Sequence, residues 1–178
     1  MVAFLRAVNV GGRTVKSPQL MQSFQSLGFE QVKTFLASGN VLFSGTTKTV
    51  PKLRGLIEAQ LLSDLGFQTQ VILRSIEQVA AIADRNPFQL TEVEKESYTV
   101  NVALFLETPT AAMQKGVFKL KGDYDDFAFD GTEMYWLCRG EKISVSPLFS
   151  NNRLARAAYE INTVRNIRTM QRLVAIKF

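Results

Sequence analysis

Two tripeptides, Leu27-Gly28-Phe29 and Leu65-Gly66-Phe67, constrain the fold of this chain more than any other feature. Each closes an amphipathic stretch. In the first, Leu20, Met21, Phe24 and Leu27 recur at helical spacing behind Ser17-Pro18, a serine suited to an N-cap and a proline suited to the first turn. In the second, Thr49-Val50-Pro51 opens a helix whose Leu53, Leu56, Ile57 and Leu61 face inward. Glycine readily adopts the left-handed conformation that ends a helix, so both helices stop at their glycine and feed a strand, at residues 31–36 and 68–73.

The remaining elements fall into place around that repeat. Val2 to Val8 is a strand, apolar on both faces and so expected at the centre of a sheet covered on both sides. Ala37-Ser38-Gly39-Asn40 turns residues 31–36 into a third strand, Val41 to Ser44. The order strand, helix, strand, strand, helix, strand predicts a ferredoxin-like α+β domain over residues 1–90. A third helix starts at the capping box Ser75-x-x-Gln78 and ends at Asn86-Pro87-Phe88. The acidic stretch Glu92 to Glu96 has no periodicity and reads as the join between halves. Residues 97–178 form a second, smaller α+β domain, a candidate degenerate copy of the first. It contains a strand from Tyr98 to Leu106 and a short helix capped by Thr108-Pro109. A loop follows at Lys121 to Asp126, then a hairpin of Phe127–Asp130 and Glu133–Cys138 across Asp130-Gly131. A strand at Lys142 to Val145, a helix near Arg153 to Tyr159 and an Arg-rich helix from Thr163 to Ala175 complete it.

Composition excludes several chemistries. The chain has no histidine, which removes Ser-His-Asp and Cys-His catalysis, histidine metal sites and the commonest general base. One cysteine, Cys138, can form neither an internal disulfide nor a structural zinc cluster. Asp123, Asp125, Asp126 and Asp130 lack the spacing of a calcium loop and read as a solvated loop. No metal and no cofactor is expected. No apolar run reaches the ~18 residues of a membrane helix, and the start lacks signal-peptide features. A cytoplasmic protein without a membrane partner is the expectation.

Charge is uneven. The net charge of +5 resolves into five Lys/Arg against one acid in residues 1–50, ten against fourteen in 51–150, and six against one in 151–178. Both ends are basic, and three polar segments lie in them. In a ferredoxin-like sheet the loop after the first strand and the turn between the second and third share one end. That places Arg6, Asn9, Gly11, Gly12 and Arg13 beside Ser38, Gly39 and Asn40, with the N–H groups of a helix start nearby. The third segment is Thr163, Arg165 and Asn166. On a helix capped by Thr163, Arg165 would share a ridge with Arg168 and Arg172. Such a set suits a phosphate-bearing small molecule or a nucleic-acid backbone. The same residues equally satisfy turn chemistry, with Asn9 and Asn40 tying loops together. The glycines fit neither the Walker loop nor the dinucleotide fingerprint, and the strand-three signature of an RNA-recognition motif is absent.

Arg6-Ala7-Val8-Asn9-Val10-Gly11-Gly12, Leu27-Gly28-Phe29, Ser38-Gly39-Asn40-Val41, Asn86-Pro87-Phe88 and Thr163-x-Arg165-Asn166-x-x-Thr169 resemble, in that order, the motifs of domain-of-unknown-function family 1697 of bacteria. The resemblance implies two ferredoxin-like halves. It brings no activity, cofactor or catalytic residue. Three functions stay open: binding of a phosphate-bearing ligand, a structural or interaction module in which the motifs dock the halves, and an enzyme working without a histidine base.

Overall fold

The computed structural model describes residues 1–178 apart from 10, 11, 13, 46–48, 141–145, 151, 152, 161, 178 and the side chains of 149 and 150. It separates into two units, Met1–Ala80 with Leu173–Phe178, and Ala81–Arg172.

In the first unit, β1 (Val2–Leu5) is buried at every residue, because all four are apolar and both faces are covered. It ends at Leu5, short of the expected Val8, and Ala7 beyond it takes a left-handed φ of 56°. α1 (Ser17–Ser26) leads to β2 (Glu30–Phe35) and β3 (Asn40–Ser44), and α2 (Val50–Leu65) leads to β4 (Val71–Arg74). The sheet order is β2-β3-β1-β4, antiparallel throughout. The two helices bury Leu20, Phe24, Leu53, Ile57 and Leu61 against Ala3, Leu5, Val41 and Phe43 of the sheet. Phe24 meets Phe43 edge-on, with ring centroids 5.3 Å apart.

The glycine repeat works as its sequence implies. Gly66 caps α2 at φ 74°, and Gly28 follows α1 at φ 80°. Ser17 is not the cap of α1. Lys16 holds that position in extended conformation, and Ser17 is already helical. The chain's last residues return to this unit, where the Lys33 ammonium donates to the Lys177 carbonyl at 2.6 Å.

α3 (Ile76–Asp84) starts from the expected box, with Gln78 N donating to Ser75 Oγ at 3.2 Å and Ser75 N to Gln78 Oε1 at 2.8 Å. The second unit then runs α4 (Glu92–Ser97), β5 (Thr99–Phe105), α5 (Ala111–Phe118), β6 (Asp125–Asp130), β7 (Glu133–Cys138), α6 (Pro147–Ser150), α7 (Arg153–Ala157), β8 (Asn162–Asn166) and α8 (Ile167–Val174). Its sheet, β6-β7-β5-β8, is antiparallel and repeats the strand order of the first. Ala103, Phe105, Met113, Val117, Trp136 and Leu154 form its core.

Four expectations for this half need correction. Glu92 to Glu96 is not a patternless join but a helix, α4, nucleated by a reciprocal cap: Glu94 N donates to Thr91 Oγ1, and Thr91 N to Glu94 Oε2 at 2.9 Å. Thr110 rather than Thr108 caps α5, accepting from Met113 N at 3.3 Å. β6 reaches back to Asp125, inside the loop expected at Lys121 to Asp126. Thr163 and Arg165 are not at a helix start, and Asn166 stands at one only as the last residue of a strand. They lie in β8, where Asn166, Arg165 and Thr163 pair with Asn101, Val102 and Leu104 of β5. β-branched Thr163 and Val164 suit a strand, and α8 begins only when Asn166 Oδ1 accepts from Arg168 N at 2.8 Å. Arg165 therefore shares no helical ridge with Arg168 and Arg172. The expected strand at 142–145 lies outside the described residues.

Candidate functional site

The loop after β1 and the β2–β3 turn do meet, and the Asn9 side chain joins them. Asn9 Nδ2 donates to the Ala37 carbonyl at 2.5 Å while Asn9 Oδ1 accepts from Val15 N at 2.6 Å. Asn40 is fully buried and donates to the Phe35 carbonyl at 2.8 Å and to Ser38 Oγ at 2.9 Å. The Gly39 carbonyl accepts from Leu5 N at 2.8 Å. Arg6 is exposed and donates to Gln70 Oε1 at 2.6 Å. Gly12 sits at φ 82°, and among the described residues nothing beyond its chain neighbours lies within 4 Å of where a Cβ would stand. Gly11 and Arg13 lie outside the described residues.

Of the C-terminal candidates, Thr163 and Arg165 are buried in the second unit. Arg165 Nη1 donates to Thr163 Oγ1 and to the Val164 carbonyl, both at 2.8 Å. Burial lowers the Arg165 pKa to about 10, so it stays cationic at neutral pH. Asn166 is different. It lines a cleft of about 980 Å³ within the second unit, in the size range of small-molecule sites.

That cleft is bounded by the end of α3, the Asn86-Pro87-Phe88 turn, α4, the start of β5 and the β8–α8 junction. The turn is held by Asn86, whose amide both donates to the Leu90 carbonyl and accepts from Leu90 N, each at 3.1 Å. Phe88 and Tyr98 are half-buried in the lining. Arg168 donates to the carbonyls of Lys95 and Glu96 at 3.2 and 3.3 Å, and among the described residues it forms no ion pair.

Asn101 also lines the cleft, opposite Asn166 across the β5–β8 ladder. Only 4% of it is exposed, and among the described residues its Nδ2 has no hydrogen-bond partner. A buried donor left unpaired costs about 1–3 kcal/mol. Sequence reading passed over Asn101, although an asparagine within Val100-Asn101-Val102-Ala103-Leu104 was a signal: one amide set in an apolar strand. The Asn86-Pro87-Phe88 motif and Asn166 belong to this one cleft, while Asn9 and Asn40 belong to the first unit.

The charges lining the cleft balance. Arg85, Lys95 and Arg168 stand against Asp84, Glu92 and Glu96, and Lys95 is bridged to Glu92 at 2.7 Å. Among the described residues no group of three or more Cys, Asp or Glu side chains could hold a metal ion, and no helix is long and apolar enough to cross a membrane.

Residues 1–135 match the family described as protein of unknown function (DUF1697). Among solved structures, the conserved bacterial protein SP0830 from Streptococcus pneumoniae is similar with a TM-score of 0.74 and 19% identity, over 98% of this chain and 95% of that one. That likeness is one of fold. No curated protein matches.

Proposed function

Because this chain belongs to the DUF1697 family of proteins of unknown function, which supplies no activity to start from, we propose from the site alone that it binds a small phosphate-bearing molecule in the cleft of the second unit. The observation that carries this reading is the cleft itself, lined along one side by Asn166, Ile167 and Arg168 at the start of α8. The start of α8 and the Arg168 guanidinium lie in the same lining and favour an anionic group there. Three cations against three acids make a poor track for a polyanion, which is held by many uncompensated Lys and Arg contacts. The balance favours a small ligand over a nucleic-acid backbone.

The first unit supports a different reading for its own motifs. Asn9 and Asn40 spend their amide groups on backbone and Ser38 acceptors within the loops, so there the motif serves structure. We read the β2-β3-β1-β4 order as a ferredoxin-like split βαβ arrangement, and the second sheet as its degenerate copy.

Thermal shift with inorganic phosphate, ribose 5-phosphate and mononucleotides tests the ligand reading. A ligand at about 100 times its Kd stabilises by about 2.7 kcal/mol, a shift of several degrees. Arg168→Gln should abolish most of it. No shift from any of these compounds at millimolar concentration would overturn the proposal.

A further inference from the structure

We infer that α4 is an autoinhibitory flap on this cleft: its last carbonyls hold the guanidinium of Arg168, and a phosphate that takes Arg168 releases the helix. This rests on the phosphate-ligand reading of the same cleft. The first support is how little fastens α4. It has six residues, none of them buried, and so short a helix is marginal without outside contacts. Its cap at Thr91, its Lys95–Glu92 bridge and its Ser97 hydroxyl bond all lie within the segment itself. Among the described residues, the side-chain hydrogen bonds that reach it from elsewhere come from Arg168 Nη2, to the Lys95 carbonyl at 3.2 Å and the Glu96 carbonyl at 3.3 Å. These are carbonyls of the last turn, which a helix leaves without partners of its own.

The second support is which nitrogen is engaged. A guanidinium grips a phosphate in a fork, through Nη1 with Nη2 or through Nε with Nη2. Nη2 belongs to both pairs, and here it is spent on α4. Both bonds are long, so a charged acceptor at closer range displaces the carbonyls. The third support is charge. α4 brings Glu92 and Glu96 to the lining against Lys95 alone. With α4 withdrawn, Arg85 and Arg168 face only Asp84, and a balanced lining becomes a cationic one. The closed flap therefore opposes an anion twice, by occupying its best donor and by adding acids.

Hydrogen exchange of the full chain tests the latch without any ligand. The amides of Lys95 and Tyr98, which donate to the Thr91 and Glu94 carbonyls, should exchange about fivefold faster in Arg168→Ala. Unchanged exchange would overturn the inference and leave the phosphate reading untouched. Calorimetry with inorganic phosphate and ribose 5-phosphate tests the competition. Thr91→Ala weakens α4 from a position outside the cleft lining, and it should tighten binding of both compounds by up to about fivefold, because more of the protein is then open. Equal or weaker binding would again sink the flap alone. In the unaltered protein, saturating phosphate should speed exchange at Lys95 and Tyr98; slower exchange would show that Arg168 holds ligand and helix together, contrary to the inference. If neither compound binds the unaltered protein or Thr91→Ala, the phosphate reading falls and the flap falls with it.

Discussion

A donor that finds no acceptor is a free-energy cost the fold carries at all times, and among the described residues Asn101 Nδ2 finds none in the middle of an apolar strand. Leucine has nearly the same shape and no polar group. Asn101→Leu is therefore expected to raise stability by about 1 kcal/mol, or roughly 3 °C in Tm for a chain of this size, measured by urea and thermal unfolding without ligand. A fall would mean that the amide has a partner in solution. Gly39 makes the opposite case. At φ 76°, a Cβ there would lie 2.8 Å from Val8 Cγ2 and 3.1 Å from Leu5 Cβ. Gly66 has the same backbone at φ 74° but nothing within 4 Å. Gly66→Ala should cost about 1 kcal/mol for the left-handed conformation alone, and Gly39→Ala distinctly more, because the turn must also lift from β1. Equal costs would show that the turn yields freely. Arg165→Ala should lower stability by about 2 kcal/mol, since Thr163 Oγ1 loses a charged donor. It should leave ligand binding unchanged in the folded variant, because Arg165 is not among the residues lining the cleft.

At the scale of elements, α4 shows how a short segment with no buried residue is made helical. Thr91 and Glu94 exchange hydrogen bonds, and those from Thr91, backbone first and then hydroxyl, hold the Glu94 carboxyl below its ordinary range. The sign follows from that depression. The stabilisation is present above the usual glutamate pKa and disappears as pH falls through the depressed value. Amide-exchange protection at Lys95 should therefore drop on acidification, and Thr91→Ala should show the low-pH pattern already at neutral pH, with α4 destabilised by about 1 kcal/mol. Unchanged protection in the variant would place the helix's support elsewhere. The cap stands in the sequence as Thr91-x-x-Glu94, but no hydrophobic run follows it, and a periodic apolar run is what marks a helix in a sequence. The same dependence on periodicity misplaced Thr163 to Asn166. Apolar residues at 164, 167, 170, 173 and 174 fit a helix that starts early, whereas Val164 is exposed on an edge strand and only its pairing with β5 reveals this. Long elements ended by glycine were legible. Those decided by a tertiary partner were not: Asp125 read as a solvated acid, yet it is buried and accepts from Trp136 Nε1 at 2.6 Å and Ser146 Oγ at 2.9 Å. The cleft was half legible for the same reason. Asn166 and Asn86-Pro87-Phe88 stood out as motifs, but only the β5–β8 register puts Asn101 opposite Asn166.

At the scale of the molecule, the first unit is discontinuous in sequence: it takes its sheet from the start of the chain and its last residues from the end. Leu173 is fully buried, and Lys177 accepts from the Lys33 ammonium on β2. A chain cut after Arg172 loses both. Removing a buried leucine alone is worth about 2–5 kcal/mol, a large share of the 5–15 kcal/mol that a domain has in total, so the shortened chain is expected to melt well below the full one. The position of the loss is the sharper test. Lys33 lies on an edge strand, so hydrogen-exchange protection should fall in β2 and β3, while the β5–β7 ladder, which contains none of the deleted residues, keeps its own. Uniform loss across both sheets would show that the two units unfold as one cooperative body. Loss confined to β2 and β3 would show that the end of the chain acts as the last piece of the unit that began it.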